Sequence, residues 1–132
     1  MDDEIWKPIN RIILKKGTIC DFIGYDVSNY GRVRSYKKRH GRGHRDLNIT
    51  PVIINGRLDA RGYTQYALSD INKKSRNFRA HILVMQTFCG ISKAYEVVCH
   101  FDDVKSNNHL SNLRYDTQKE NLKDMKRNKK TF

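Results

Sequence analysis

Hydrophobic positions along this chain change period part-way, and the change divides it. Tyr25-Asp26-Val27-Ser28-Asn29 and Arg32-Val33-Arg34-Ser35-Tyr36 alternate side to side, the period-two pattern of strands with one buried face. Asn29-Tyr30-Gly31 between them carries residue types that tolerate positive φ, which predicts a tight turn and hence a hairpin. Arg32 and Arg34 then share the strand face opposite Val33. Leu47 to Ile54 and Gly62 to Leu68 are β-branched or aromatic runs bounded by Gly and Asn, and predict further strands. From Phe78 to Phe88 the spacing becomes helical, with Ile82, Leu83, Met85 and Phe88 as the expected buried face and Gly90 as the stop. Tyr95 to His100 predicts a short apolar strand, Phe101 to Asn112 a polar loop, and Leu113 to Asp116 a strand with Leu113 and Tyr115 on one side. Thr117 is placed to cap a last helix from Gln118 to about Lys129, with Glu120 in its first turn and Lys126, Arg127, Lys129 and Lys130 near its end. The expected class is α+β, with a β-rich module over 1–77 followed by a strand-loop-strand-helix unit within 78–132, the two forming one compact unit.

Composition narrows the class of partner. The chain has 132 residues, 38% of them hydrophobic, which suffices for one compact core. No apolar run approaches the ~20 residues of a membrane span, and the start, Met1-Asp2-Asp3-Glu4, is acidic, so neither membrane insertion nor secretion is expected and the cytoplasm is the expected location. Lys and Arg number 26 against 14 Asp and Glu, a formal charge of +12 that points to a polyanionic partner. Part of that surplus lies in one stretch: Lys37, Lys38, Arg39, Arg42 and Arg45 are interleaved with His40, Gly41, Gly43 and His44, and no acidic residue stands between Asp26 and Asp46. This reads as a basic, phosphate-tracking loop over 37–45. Cys20, Cys89 and Cys99 are an odd, widely spaced set, which argues against a disulfide framework and against a four-cysteine zinc site.

Candidate chemistry is densest from Val98 to Tyr115. His100 closes a predicted strand before an asparagine-rich loop, and an imidazole titrating near neutrality can take a proton from water. Asn107, Asn108 and Asn112 can offer oxygen to a hard cation or brace the loop through its backbone, and the spacing leaves both readings open.

These segments resemble the HNH endonucleases of phages and their group I introns. The resemblance runs through Ile5-Trp6-Lys7-Pro8-Ile9, Tyr25 to Ser35, Gly62-Tyr63, Ala80-His81-Ile82-Leu83-Val84, His100 to Leu113 and Thr117-Gln118-Lys119-Glu120-Asn121. It leaves out an insertion-like stretch from Ile12 to Ile23 and the basic loop. It implies an N-terminal antiparallel β-sheet module that binds DNA, followed by a ββα-metal (HNH) nuclease motif. By position it makes His100 the general base and Asn112 the loop asparagine that orients the site, the two candidate catalytic residues. Asn121 becomes a metal ligand. The other ligand position, before the base and commonly Asp in relatives, is Cys99 here. Asp103-Val104 replaces a glycine-containing turn.

The implied activity is metal-dependent hydrolysis of DNA phosphodiesters. The cofactor is a divalent ion, Mg²⁺ or Mn²⁺, with Zn²⁺ brought into range by the soft thiol of Cys99. The partner is double-stranded DNA, contacted by Arg32, Arg34, Lys37, Lys38, Arg39, Arg42, Lys105 and Arg114. A monomer would nick and a homodimer would break both strands, as in a phage-encoded homing enzyme acting in a bacterial host. His81 is expected to be a structural, hydrogen-bonded histidine. The competing reading is an HNH-fold DNA-binding protein whose catalysis is impaired through Cys99, and a weaker third is an RNA-binding protein using the same basic face.

Overall fold

In the computed structural model, residues 3–37, 47–91 and 96–117 are described. Eleven strands and one α-helix lie among them. Strands β1 (Trp6–Pro8), β4 (Tyr25–Ser28), β5 (Val33–Lys37) and β6 (Leu47–Ile54) form an antiparallel sheet in the order β1-β4-β5-β6. The hairpin expected at 25–36 is its centre, and Gly31 takes φ +84° in the turn. Strands β2 (Arg11–Ile13) and β3 (Ile19–Asp21) pair as a small hairpin, and β7 (Arg57–Leu58), β8 (Thr64–Ser69) and β9 (Ser75–Arg79) make a three-stranded sheet. Helix α1 (Ala80–Cys89) follows directly, then the hairpin of β10 (Glu96–His100) and β11 (Leu113–Thr117).

Three expectations change. Phe78 and Arg79 belong to β9 rather than to the helix, because Phe78 pairs across the strands with Tyr66 and is buried there. The buried residues of α1 are Ala80, His81, Leu83, Val84 and Met85, while Ile82 and Phe88 are only partly covered. The reason is that α1 sits among the sheets, touching β1, β2, β4, β8, β9, β10 and β11, so burial is not confined to one stripe. The stretch from Ile12 to Ile23 is no appendage: Ile12, Cys20 and Phe22 enter the core, where Phe22 meets Phe78 edge-on with ring centroids 5.3 Å apart. The last helix expected from Gln118 and the basic stretch at 38–45 lie outside the described residues. Among the described residues no helix is long and apolar enough to cross a membrane.

One core cluster joins Ile9 to Leu113. It is supplemented by a polar tie, in which the Gln86 side chain behaves as a short piece of strand. Its Oε1 accepts from the Ile13 N–H at 2.9 Å and its Nε2 donates to the Ile13 carbonyl at 2.8 Å. Replacing Gln86 by Leu keeps the bulk but orphans both Ile13 groups, and should cost about 2 kcal/mol in urea unfolding. An unchanged midpoint would mean that water replaces the amide without loss.

Candidate active site

Strand pleating sorts the hairpin's side chains onto two faces. His100 pairs with Leu113 and Val98 with Tyr115, and Leu113, Val98 and Tyr115 turn to the core. Cys99, paired with Arg114, points to the opposite face together with Val97 and Asp116. Tyr115 fixes the hairpin to the end of α1, its hydroxyl donating to the Gly90 carbonyl at 2.7 Å.

The loop between the strands is braced by side chains. Asn112 donates through Nδ2 to Asp102 Oδ1 and to the Asn107 carbonyl, both at 2.9 Å, and its Oδ1 accepts from the Asp102 N–H. Asp102 also accepts from the Val104 N–H and from Asn107 Nδ2. Burial pushes the Asp102 carboxyl up, but these bonds outweigh it and hold the group below its ordinary range. Asp103 takes φ +58°, so it occupies the left-handed conformation for which glycine is best suited, and Asp is among the side chains that tolerate it. Within this frame His100 is buried, and its Nε2 lies 3.0 Å from Asn108 Oδ1.

A second group of residues converges on His100 from other elements. A turn at 59–62 uses Asp59 Oδ1 to accept the N–H groups of Arg61 and Tyr63, with Gly62 at φ +88°. It sets the Tyr63 ring 5.0 Å from His81 and 6.2 Å from His100, centroid to centroid. His81, in the first turn of α1, lies 5.1 Å from His100. Two cations flank Tyr63: the Arg79 guanidinium at 4.2 Å, ion-paired to Asp59, and Lys105 Nζ at 4.8 Å, which donates to the Arg61 carbonyl. The arrangement is a proton acceptor beside cations, chemistry suited to a phosphate ester.

Comparison with known proteins bears on the same segments. A family model described as HNH endonuclease matches residues 78–123, and one described as NUMOD4 motif matches residues 4–69, half of the 132 residues. The chain belongs to the HNH endonuclease family. It is 31% identical over 114 residues to an uncharacterized HNH endonuclease of Acanthamoeba polyphaga mimivirus, covering 83% of this chain and 29% of that protein. Its structure is similar to that of the HNH homing endonuclease I-HmuI, solved for DNA binding and cleavage, with a TM-score of 0.65 at 30% identity over 93% of this chain and 59% of the other. The chain thus spans less than two thirds of either relative.

Measured against an HNH site, the residues anticipated from sequence divide. His100 and Asn112 come together in one loop frame. Cys99 lies behind them, buried, its thiol donating to the Val97 carbonyl at 3.7 Å. Burial pushes that thiol up, Arg114 opposing, and soft sulfur is a poor match for a hard divalent cation. Asn121 lies outside the described residues, as do Lys38, Arg39 and Arg42. Arg32 and Arg34 share a face as expected, both over the Trp6 ring, but each is engaged: Arg32 with Glu4, and Arg34 with its cross-strand neighbour Asp26 at 2.8 Å. Lys37 lies over Tyr25 and donates to the Ser69 carbonyl. Arg114 is largely covered, bonded to Asp116 and over Phe101. All the ion pairs among the described residues use arginine, as in Arg11–Asp21 and Arg76–Asp70.

Sequence reasoning missed Arg79, Asp59 and the grip of Asn108 on His100. His81, expected to be hydrogen-bonded, has a buried Nδ1 without a hydrogen-bond partner among the described residues. Burial, with the nearby His100 and Arg79 adding and Asp59 opposing, pushes His81 down to about 3. The folded chain therefore keeps His81 neutral, while the unfolded chain protonates it below about 6.5. Stability from this source is complete above that value and is lost as pH falls from 6.5 toward 3. Between about pH 7 and pH 5, before carboxylates titrate, the native protein should lose about 2 kcal/mol more than His81→Leu does. Parallel unfolding curves across that window would remove the buried imidazole as the cause.

Proposed function

We propose that this chain binds double-stranded DNA and hydrolyses its phosphodiester bonds, with His100 as general base. The observation that carries this reading is His100 held at Nε2 by Asn108, inside a loop braced by Asn112, with Lys105 and Arg79 around the neighbouring Tyr63 ring. An amide oxygen can only accept, so the contact makes Nε2 the ring's N–H and leaves Nδ1 to accept a proton. Water gives that proton to Nδ1 as its oxygen attacks phosphorus. The bond from phosphorus to the 3′ oxygen breaks, leaving a 5′-phosphate and a 3′-hydroxyl once the departing oxygen is protonated by water. Asn112 acts as a positioning residue, since its partners are Asp102 and Asn107 rather than the imidazole. One such site cuts one strand, so a monomer nicks and a homodimer breaks both.

Membership of the family argues for a divalent cation, Mg²⁺ or Mn²⁺ before Zn²⁺, and Asn121 is its proposed ligand from this chain. The buried, soft thiol of Cys99, where relatives commonly carry Asp, favours a second reading, a DNA-binding protein of the same fold with impaired cleavage. Supercoiled plasmid separates the two. Cleavage with Mg²⁺ or Mn²⁺, abolished by EDTA and reduced by on the order of 10²–10⁴-fold in His100→Ala, supports the enzyme. Tight binding with no cutting in any metal supports the second reading, and cutting by His100→Ala at the native rate removes His100 as the base.

The DNA contacts are assigned to Arg32, whose side chain is more exposed than that of Arg34, with Arg34, Lys37, Lys38, Arg39, Arg42, Lys105 and Arg114, and with Arg79 added. Lysines without an acidic partner are the better phosphate grips, since each neutralised phosphate releases a counterion. Affinity should fall steeply with salt, and Lys105→Ala should lower the slope of log K against log salt by about 1. A salt-independent dissociation constant would exclude the electrostatic interface.

A further inference from the structure

His100 takes its orientation from a residue that is itself seated on the N-terminal sheet. Asn108 is 5% exposed, and the wall behind it is the turn between β4 and β5. A Cβ on Gly31 would come within 2.7 Å of the Asn108 Cβ and 3.0 Å of its carbonyl oxygen, so the two backbones meet with no room for a side chain. The loop is fastened on the far side of Asn108 as well. The Leu110 N–H donates to the Asn29 carbonyl at 2.7 Å, and the His109 ring meets Tyr30 edge-on at 4.6 Å.

The turn cannot easily yield. The Tyr66 hydroxyl donates to the Gly31 carbonyl at 2.9 Å, and Ser28 Oγ accepts from the N–H groups of Tyr30 and Arg32. The Asn29 side chain accepts from the Ile5 N–H at 2.7 Å and donates to the Asp3 carbonyl. Each neighbour of Asn108 is thus held by a different element, while Asn108 itself spends its side-chain oxygen on His100.

We infer that Asn108 is the positioning residue of the general base: seated on the Asn29–Gly31 turn, it holds His100 in the Nε2–H form and leaves Nδ1 as the acceptor. This rests on the reading of His100 as base. A free imidazole exchanges between two neutral forms, and only the one with an unprotonated Nδ1 can act here. The DNA-binding module therefore contributes to the cutting site through packing, without touching the reacting atoms.

Ring ¹⁵N chemical shifts of His100 in the native protein test the assignment without any variant and without activity. A pyridine-type Nδ1 and a protonated Nε2 are expected, and a protonated Nδ1 overturns the inference. Asn108→Leu should then show mixed tautomers and cleave on the order of 10–100-fold more slowly with DNA affinity retained. Asn108→Asp, which keeps an acceptor, should restore most of the rate. Gly31→Ala, which displaces Asn108 from behind, should repeat the Asn108→Leu pattern and serves if that variant does not fold. Native cleavage rates in both Asn108→Leu and Gly31→Ala would also overturn the inference. His100→Ala reports separately: if it cuts normally, the base assignment fails whatever the tautomer.

Discussion

Covering helix α1 is the constraint to which the rest of the structure answers. Ala80, Leu83, Val84 and Met85 are buried with His81 among them, and Ile82 and Phe88 are partly covered, so the helix offers apolar surface in several directions. A single sheet can cover one side of such a helix. Here β2 and β4 come from the N-terminal part, β8 and β9 from the middle, and β10 and β11 from the carboxyl part. Burial of this kind drives assembly but carries little direction. The same helix opens with His81, so the requirement that buries Leu83 and Val84 also carries an imidazole into the neighbourhood of His100.

Direction comes from the polar contacts laid over that core. Gln86 aligns the helix with Ile13, Tyr115 aligns the hairpin with Gly90, and the Leu110 N–H aligns the loop with Asn29. Each is made between segments remote in sequence, and each satisfies a backbone group. Around His100 this becomes specific enough for chemistry. Asn112 fixes the loop's shape, Asn108 fixes the ring, and the Asp59 turn brings up Tyr63 with its flanking cations. The buried imidazole of His81 has a hydrogen-bonding atom unsatisfied by the described residues, a cost borne beside His100.

Much of this was legible in the sequence, wherever the pattern is local. The strands at 25–28, 33–37, 47–54, 64–69, 96–100 and 113–117 match segments read as strand to within a residue or two at their ends, because alternation and turn residues are short-range signals. The first three strands and β7 have three residues or fewer, too few to show a period, and β9 buries only Phe78 of its five. The helix start was misplaced because the apolar spacing of Phe78 suits either period, and only pairing with Tyr66 decides. His100 and Asn112 were legible through motif spacing. The hold of Asn108 on His100 was not, because it depends on a glycine in the first third of the chain. Likewise nothing local in Arg79 announces that it will share the Tyr63 ring with Lys105.

The approach of Gly31 to Asn108 also bears on how such a protein can be recombined. A sheet and a hairpin joined by a loose tether could be exchanged between relatives as independent cassettes. These two meet without a gap and with a left-handed glycine at the join. A transplanted sheet that carries a side chain on that α-carbon, or a register that brings another residue there, would press on Asn108, whose amide oxygen faces His100. Exchange across this boundary therefore has to move the glycine and the asparagine as a matched pair.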